Sequence, residues 1–120
     1  MSIGLIGTKL GMTREFIQSG QSVPVTVIKI ETGRVIDVIE KEKRGYSAIK
    51  IGYFKVKNSK LSKQMKGYFT KKNTEPKKIL KEYRVDKTDD YKAGNELGLD
   101  LLKDKKFVDI QAKTIGKGFA

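Results

Sequence analysis

Ser22-Val-Pro-Val-Thr-Val-Ile-Lys-Ile-Glu31 and Arg34-Val-Ile-Asp-Val-Ile-Glu-Lys-Glu42 decide the fold class. Both runs are rich in Val, Ile and Thr, whose branched side chains suit a pleated surface. Only Thr32 and Gly33 separate them, so the pair reads as two strands joined by a tight connection, a hairpin. Downstream, Tyr46-Ser-Ala-Ile-Lys-Ile-Gly-Tyr-Phe54 alternates partly behind the Gly45 turn. Lys106-Phe-Val-Asp-Ile-Gln-Ala112 puts Val108 and Ile110 on one face, and Phe107, Asp109 and Gln111 on the other. These are two further strands. Ile79 to Val85 is too short for periodicity to separate helix from strand. Pro24 at a strand start and Pro76 in the stretch before Ile79 stand where a missing amide donor costs little. The expected fold is mainly β, a small barrel or sandwich carrying a lysine-rich insertion between strands.

The charge pattern carries the functional signal. The chain has 120 residues, 26 Lys and Arg against 14 Asp and Glu, and a formal net charge of +12. That length fits one domain or part of one, and the excess points to a partner of dense negative charge. Residues 1–56 carry nine basic and five acidic side chains, residues 57–81 nine and one, and residues 82–120 eight and eight. Two thirds of the excess therefore sits in the middle stretch. There Lys57, Lys60, Lys63 and Lys66 recur every third residue, with Lys71, Lys72, Lys77, Lys78 and Lys81 behind them. A spacing of three keeps such side chains near one face of a helix or 3₁₀ turn. A lysine run is ordinarily a solvated face. With Glu75 as its only acid, this run would repel itself unless an anion neutralised it, which favours contact with a polyanion. Lys outnumbers Arg 22 to 4, a bias suited to point-charge phosphate contacts more than to forked contacts with base edges. Tyr68 and Phe69, embedded in these lysines, are placed to stack on unpaired bases.

Several chemistries are excluded. Without Cys or His the chain has no thiolate, imidazole base, disulfide or common zinc or copper ligand set. Gly4-Leu-Ile-Gly-Thr-Lys-Leu-Gly-Met-Thr-Arg14 and Gly116-Lys-Gly118 fit neither phosphate-loop pattern, and read as sharp turns or points of close backbone approach. Asp86, Asp89, Asp90 and Asp100 lack calcium-loop spacing and read as solvated turns. No window approaches the roughly 18 apolar residues of a membrane span, and Met1-Ser2 opens no leader pattern, so a cytoplasmic protein is expected. No catalytic residue, metal, cofactor or small-molecule substrate is assigned. A general binder of polyanions, DNA or acidic surfaces, is the competing reading from the residues alone.

The order of short motifs narrows this. Ile3-Gly-Leu-Ile-Gly-Thr-Lys-Leu-Gly-Met-Thr-Arg-Glu-Phe16 followed by Val23-Pro-Val-Thr-Val27 resembles the opening of the universal large-subunit ribosomal protein number three family. Gly45-Tyr46 with Ala48-Ile49, Lys66-Gly-Tyr-Phe-Thr-Lys71, Glu82-Tyr-Arg-Val85 and Val108-Asp-Ile110 to Gly116-Lys-Gly-Phe119 resemble its later motifs in the same order. Tyr68 stands where that family usually has histidine, and Ile115 where a lysine usually precedes Gly-Lys-Gly. The resemblance implies a six-stranded barrel of the kind seen in translation proteins, incomplete here, as one domain over residues 1–120 with a basic, partly helical insertion at about 57–81. It also implies binding to large-subunit ribosomal RNA near its 3′ end early in assembly, near the peptidyl transferase centre. Large-subunit proteins fourteen and nineteen are the neighbours it implies, and the cytoplasmic large subunit the location. Family members continue past Ala120 into a basic extension before completing the barrel, so that part is expected to be missing. The candidate phosphate contacts are Lys57, Lys60, Lys63, Lys66, Lys71 and Lys72, with Lys9, Arg14, Lys113 and Lys117 as a second set and Tyr68 and Phe69 as stacking candidates.

Overall fold

The computed structural model describes residues 3–119, so the expectations placed on Met1-Ser2 and on the chain's stop at Ala120 lie outside the described residues. Strands β1 (Gly7–Phe16) and β2 (Ser22–Ile30) pair antiparallel as a two-stranded sheet. Strands β3 (Gly33–Ile39), β4 (Ala48–Lys55), β5 (Lys77–Arg84) and β6 (Glu96–Leu97) form a second sheet in the order β5-β4-β3-β6, all neighbours antiparallel. A four-residue helix α1 (Lys41–Arg44) links β3 to β4, and helix α2 (Lys63–Lys71) lies between β4 and β5.

The two runs that decide the class are both strands, but they do not pair. A two-residue hairpin needs left-handed backbone in its loop. Neither Thr32 nor Gly33 has it, so the chain runs on extended from one sheet into the other. β2 instead turns back on β1 through residues 17–21, where Gly20 has φ +82° and donates to the Ile17 carbonyl at 2.8 Å. The second run is also shorter than expected, since β3 stops at Ile39 and residues 41–44 are helical.

β4 is central because it is apolar on both faces. Ala48, Ile49, Ile51 and Tyr53 are fully buried, and Lys50 alone interrupts them. On one face Val35, Ile49, Ile51, Tyr53 and Val85 form the core, with Ile3, Ile6, Ile79, Tyr83 and Leu97 packed around it. Each fully buried Ile or Tyr contributes about 1.5–3 kcal/mol by leaving water. The Tyr53 hydroxyl donates to the Gly4 carbonyl at 3.0 Å, tying the N-terminal segment to this core. Burial, with Tyr83 as its neighbour, pushes the Tyr53 phenol upward, so it stays a neutral donor. On the opposite face, a Cβ on Gly52 would come 2.6 Å from both Ile36 Cδ1 and Lys77 Cγ, so only glycine lets the Lys77 stem cross the strand.

Ile79 to Val85 resolves as strand, within β5 up to Arg84. Lys106 to Ala112 is not a strand: it is exposed throughout, with Phe107 91% and Ile110 69% accessible, and no ladder reaches it. Alternation alone cannot hold a strand that has no hydrogen-bonding neighbour. The glycines read as turns also differ. Gly7 and Gly11 lie within β1, where Gly11 follows a bulge at Leu10. Close approach does hold at Gly7, whose Cβ would meet Ile28 Cγ2 at 2.7 Å.

Candidate nucleic-acid interface

The lysines at positions 57 to 72 leave the sheet together in the segment between β4 and β5. Asn58–Lys60 is a single 3₁₀ turn, Leu61 and Ser62 are extended, and α2 then begins at Lys63. The three-residue spacing therefore spans two short elements, not one helix. The break has a local cause: Ser62 is the N-cap of α2, and its hydroxyl accepts from the Met65 amide at 3.4 Å. Lys77, Lys78 and Lys81 belong to β5, outside this segment.

Helix α2 has two unlike faces. Leu61, Met65, Tyr68, Phe69 and Lys72 are half-buried or buried at the spacing of one helical stripe. Lys57, Lys60, Lys63, Lys66 and Lys71 are exposed, and none has an ion pair among the described residues. Glu75, the only acid of the run, turns back to Lys55 at 3.4 Å and leaves the helical lysines unneutralised. Lys72 is different, because its Nζ lies 3.2 Å from Asp37, a carboxylate that Arg44 also approaches at 3.7 Å. Lys72 thus fastens the end of α2 to β3.

Phe69 is corrected by its burial. At 2% exposure its ring belongs to the packed interior and offers no face to a base. It meets Tyr68 edge to face, with ring centres 5.6 Å apart. Tyr68 is half-buried, its hydroxyl is shut from solvent, and Lys50 Nζ stands 5.5 Å over its ring. Lys50 also reaches Glu82 at 3.4 Å. Burial lowers the Lys50 ammonium, but Tyr68 and Glu82 together outweigh it and hold the group above its ordinary value. Glu82 in turn accepts from the Tyr46 hydroxyl at 3.0 Å, and this bond heads the causes that raise the Tyr46 phenol.

Lys9 and Arg14 lie exposed on β1, and Lys113 and Lys117 lie in the exposed stretch after residue 105. The fold does not gather these four beside α2 in one element. Sequence reasoning missed Lys50 and Asp37, the two charged groups that seat the helix on the sheet. Each could have been found as the one charge inside an apolar β run, Lys50 between Ile49 and Ile51 and Asp37 between Ile36 and Val38.

No family model matches the chain. Among curated proteins, it is 63% identical over 118 residues to large ribosomal subunit protein uL3 of Pelagibacter ubique, covering 98% of this chain and 50% of that protein. It is 44% identical over 121 residues to the uL3 protein of Methylococcus capsulatus, covering 100% of this chain and 57% of that one. The uL3 protein of a Hydrogenobaculum species is 44% identical over 117 residues, 98% of this chain and 50% of its own length. The chain spans about half the length of the curated relatives it matches. Near-complete coverage of this chain at such identity, in separate bacterial lineages, agrees with the ordered motifs along it, and the chain belongs to the uL3 family.

Proposed function

We propose that this chain is a structural component of the large ribosomal subunit that binds large-subunit ribosomal RNA through phosphate contacts and has no catalytic role. The observation that carries the reading is the acid-free lysine face of the segment at 57–71, held on a rigid sheet by the buried side of α2. Lysines on a fixed element release counterions when they meet a phosphate backbone, and the shape of a folded RNA then selects the site. Lys57, Lys60, Lys63, Lys66 and Lys71 are the primary contacts in this proposal. Lys72 contributes when it exchanges Asp37 for a phosphate, and Lys9, Arg14, Lys113 and Lys117 extend the footprint. Tyr68 acts through its half-buried ring as support for Lys50.

The finer parts of the proposal follow the family: a site near the RNA 3′ end, early assembly, proximity to the peptidyl transferase centre, and proteins fourteen and nineteen as neighbours in the cytoplasmic ribosome. The domain proposed over residues 1–120 is an incomplete six-stranded translation-type barrel, with the segment at about 57–81 as its basic insertion. Support for a barrel comes from a large cleft bordered by Ile28 and Ile30 of β2, Val85, Leu102, Val108 and Ile110, apolar side chains a closed barrel would bury.

The test is competition for the chain between large-subunit ribosomal RNA, duplex DNA and anionic vesicles at one salt concentration. Ribosomal RNA is expected to win. Equal affinity for all three would overturn the proposal in favour of a general polyanion binder. Replacing Lys60, Lys63 and Lys66 by Gln is expected to flatten the slope of log affinity against log salt by roughly two to three units, one contact per lysine.

A further inference from the structure

A second feature lies where the basic segment leaves the sheet. The end of β4, the start of β5 and the start of β3 enclose a cleft of about 350 Å³ lined by Arg34, Phe54, Lys55, Glu75, Lys77 and Glu96 among others. Its carboxylates are already engaged. Glu96 takes Arg34 Nη2 at 2.6 Å, Glu75 takes Lys55 at 3.4 Å, and Glu31 takes Lys29 at 3.5 Å. Among the cations that line the cleft, Lys77 has no acidic partner and Arg34 has donors to spare. Lys77 is 8% exposed and makes no hydrogen bond or ion pair within 4 Å among the described residues, although its charge is close enough to help depress Glu96 after the dominant effect of Arg34. Arg34 uses one nitrogen on one glutamate oxygen, and its Nε is buried with no acceptor.

The Lys77 stem is buried while its charged end is left at the cleft without an acidic partner, and the buried Arg34 Nε is a guanidinium donor whose lack of an acceptor is costly. The backbone at Phe54, on the wall of the cleft, adds strain, since φ +60° is a left-handed conformation that a bulky residue holds only at a cost. An oxyanion meets the unused donors: a point charge for Lys77, and a second acceptor for the Arg34 fork. The cleft adjoins the basic segment at both ends, because Lys55 precedes Lys57 by two residues and Lys77 follows Lys72 by five.

We propose that this cleft seats one phosphate of an RNA backbone, held by Lys77 and Arg34 at the neck of the basic segment. The inference rests on the RNA-binding reading and adds a contact separate from the exposed lysine face. Lysines on that face touch phosphates from outside, whereas Lys77 receives one in a walled recess and fixes where the strand leaves the helix.

Two arms test it on the full 120-residue chain. In the first, ¹H–¹⁵N spectra are followed with inorganic phosphate, and with acetate, at constant ionic strength. Saturable shifts at Gly33, Arg34, Phe54, Lys55 and Lys77 are expected with phosphate, and not with acetate. Shifts confined to residues 57–72 overturn the site, and equal shifts with acetate overturn phosphate in favour of a carboxylate ligand. In the second arm, Lys77→Met, which keeps the stem over Gly52, is compared with Lys77→Arg for ribosomal RNA. Loss of one contact is expected to lower the salt slope by about 0.7–0.9 and the affinity about fivefold at 0.15 M salt, with Lys77→Arg close to the parent. If phosphate binds but the slope holds in Lys77→Met, the seat is for free phosphate and the RNA assignment falls. If the parent chain itself shows no preference for ribosomal RNA, the functional reading falls with it, a result the first arm distinguishes.

Discussion

Replacing Phe69 by Ala separates the two roles that a ring among lysines can have. The ring is 2% exposed and is the one fully buried side chain of α2. Truncating such a ring typically costs about 3–5 kcal/mol, the lost transfer energy plus the cavity left behind. Nine residues are fewer than the roughly 12–15 an isolated helix needs in water, so α2 persists only through docking. The loss is therefore expected to fall on the helix before it reaches the sheet. At about 1.4 kcal/mol per tenfold, amide protection across residues 63–71 will drop by roughly two to four powers of ten, while β3, β4 and β5 keep theirs. Hydrogen exchange read residue by residue is the assay, with RNA affinity measured on the same samples. Affinity is expected to fall with the protection, because the lysines lose their fixed spacing. Phe69→Leu, with a smaller cavity costing about 1.5 kcal/mol, is expected to recover most of both. If Phe69→Ala weakened RNA binding while α2 protection stayed at the parent level, the ring would be touching RNA and the burial argument would be wrong.

Three further perturbations probe other links. Gly67 lies mid-helix, and a Cβ there meets nothing within 4 Å, so Gly67→Ala is expected to stabilise the free chain by about 1 kcal/mol in urea titration. A loss of RNA affinity in that same variant would indicate that the RNA backbone closes on this face. Gly52→Ala puts a methyl 2.6 Å from Ile36 Cδ1 and is expected to cost about 1–3 kcal/mol; an unchanged urea midpoint would contradict the packing at the centre of the sheet. Glu96 is held below its ordinary value near 4.5 by its hydrogen bond to Arg34. A depressed carboxylate adds stability that is present above the unfolded value and is lost as pH falls through the folded one. The β6 pairing to Gly33 and Arg34 is thus expected to loosen below about pH 4.5, as read from β6 amide shifts. Glu96→Gln will remove that pH dependence, and a parent-like titration in this variant would rule the pair out as its cause.

Composition made the strands legible, and it left their partners hidden. Val, Ile and Thr mark β2 and β3 correctly, since branched side chains in such density fit a sheet. Their pairing turned on whether Thr32 and Gly33 adopt a left-handed turn, and tertiary packing decided that: a Cβ at Gly33 would strike Ile51 Cγ2 at 2.6 Å, so this glycine serves close approach to β4. Val108 and Ile110 alternate as a strand should, yet alternation records only a two-faced environment, and no neighbour supplies the ladder. The lysine row was legible as charge, while its division at Leu61 and Ser62 was written in the cap residue. Phe69 shows the limit most clearly: the sequence places it among cations, but its helical position relative to Met65 points it to the sheet.

The anchored helix also settles how the lysine face can exist without a ligand. Lysines three apart on a helix are about 6 Å from one another, and salt at 0.15 M screens over about 8 Å. Repulsion is then about 0.3 kcal/mol in water for Lys63 and Lys66, the pair spaced three apart within α2. The Phe69 anchor, at about 3–5 kcal/mol, far exceeds this, so α2 is folded before any anion arrives. A preformed face and one that folds on binding respond to salt differently. For the preformed face, raising salt relieves repulsion and protects α2 slightly, while it weakens RNA binding steeply through the lost counterion release. The two trends are expected to have opposite signs between 0.05 and roughly 0.5 M salt. Exchange protection in α2 that fell together with RNA affinity as salt rose would mean that the anion, not the ring, holds the helix.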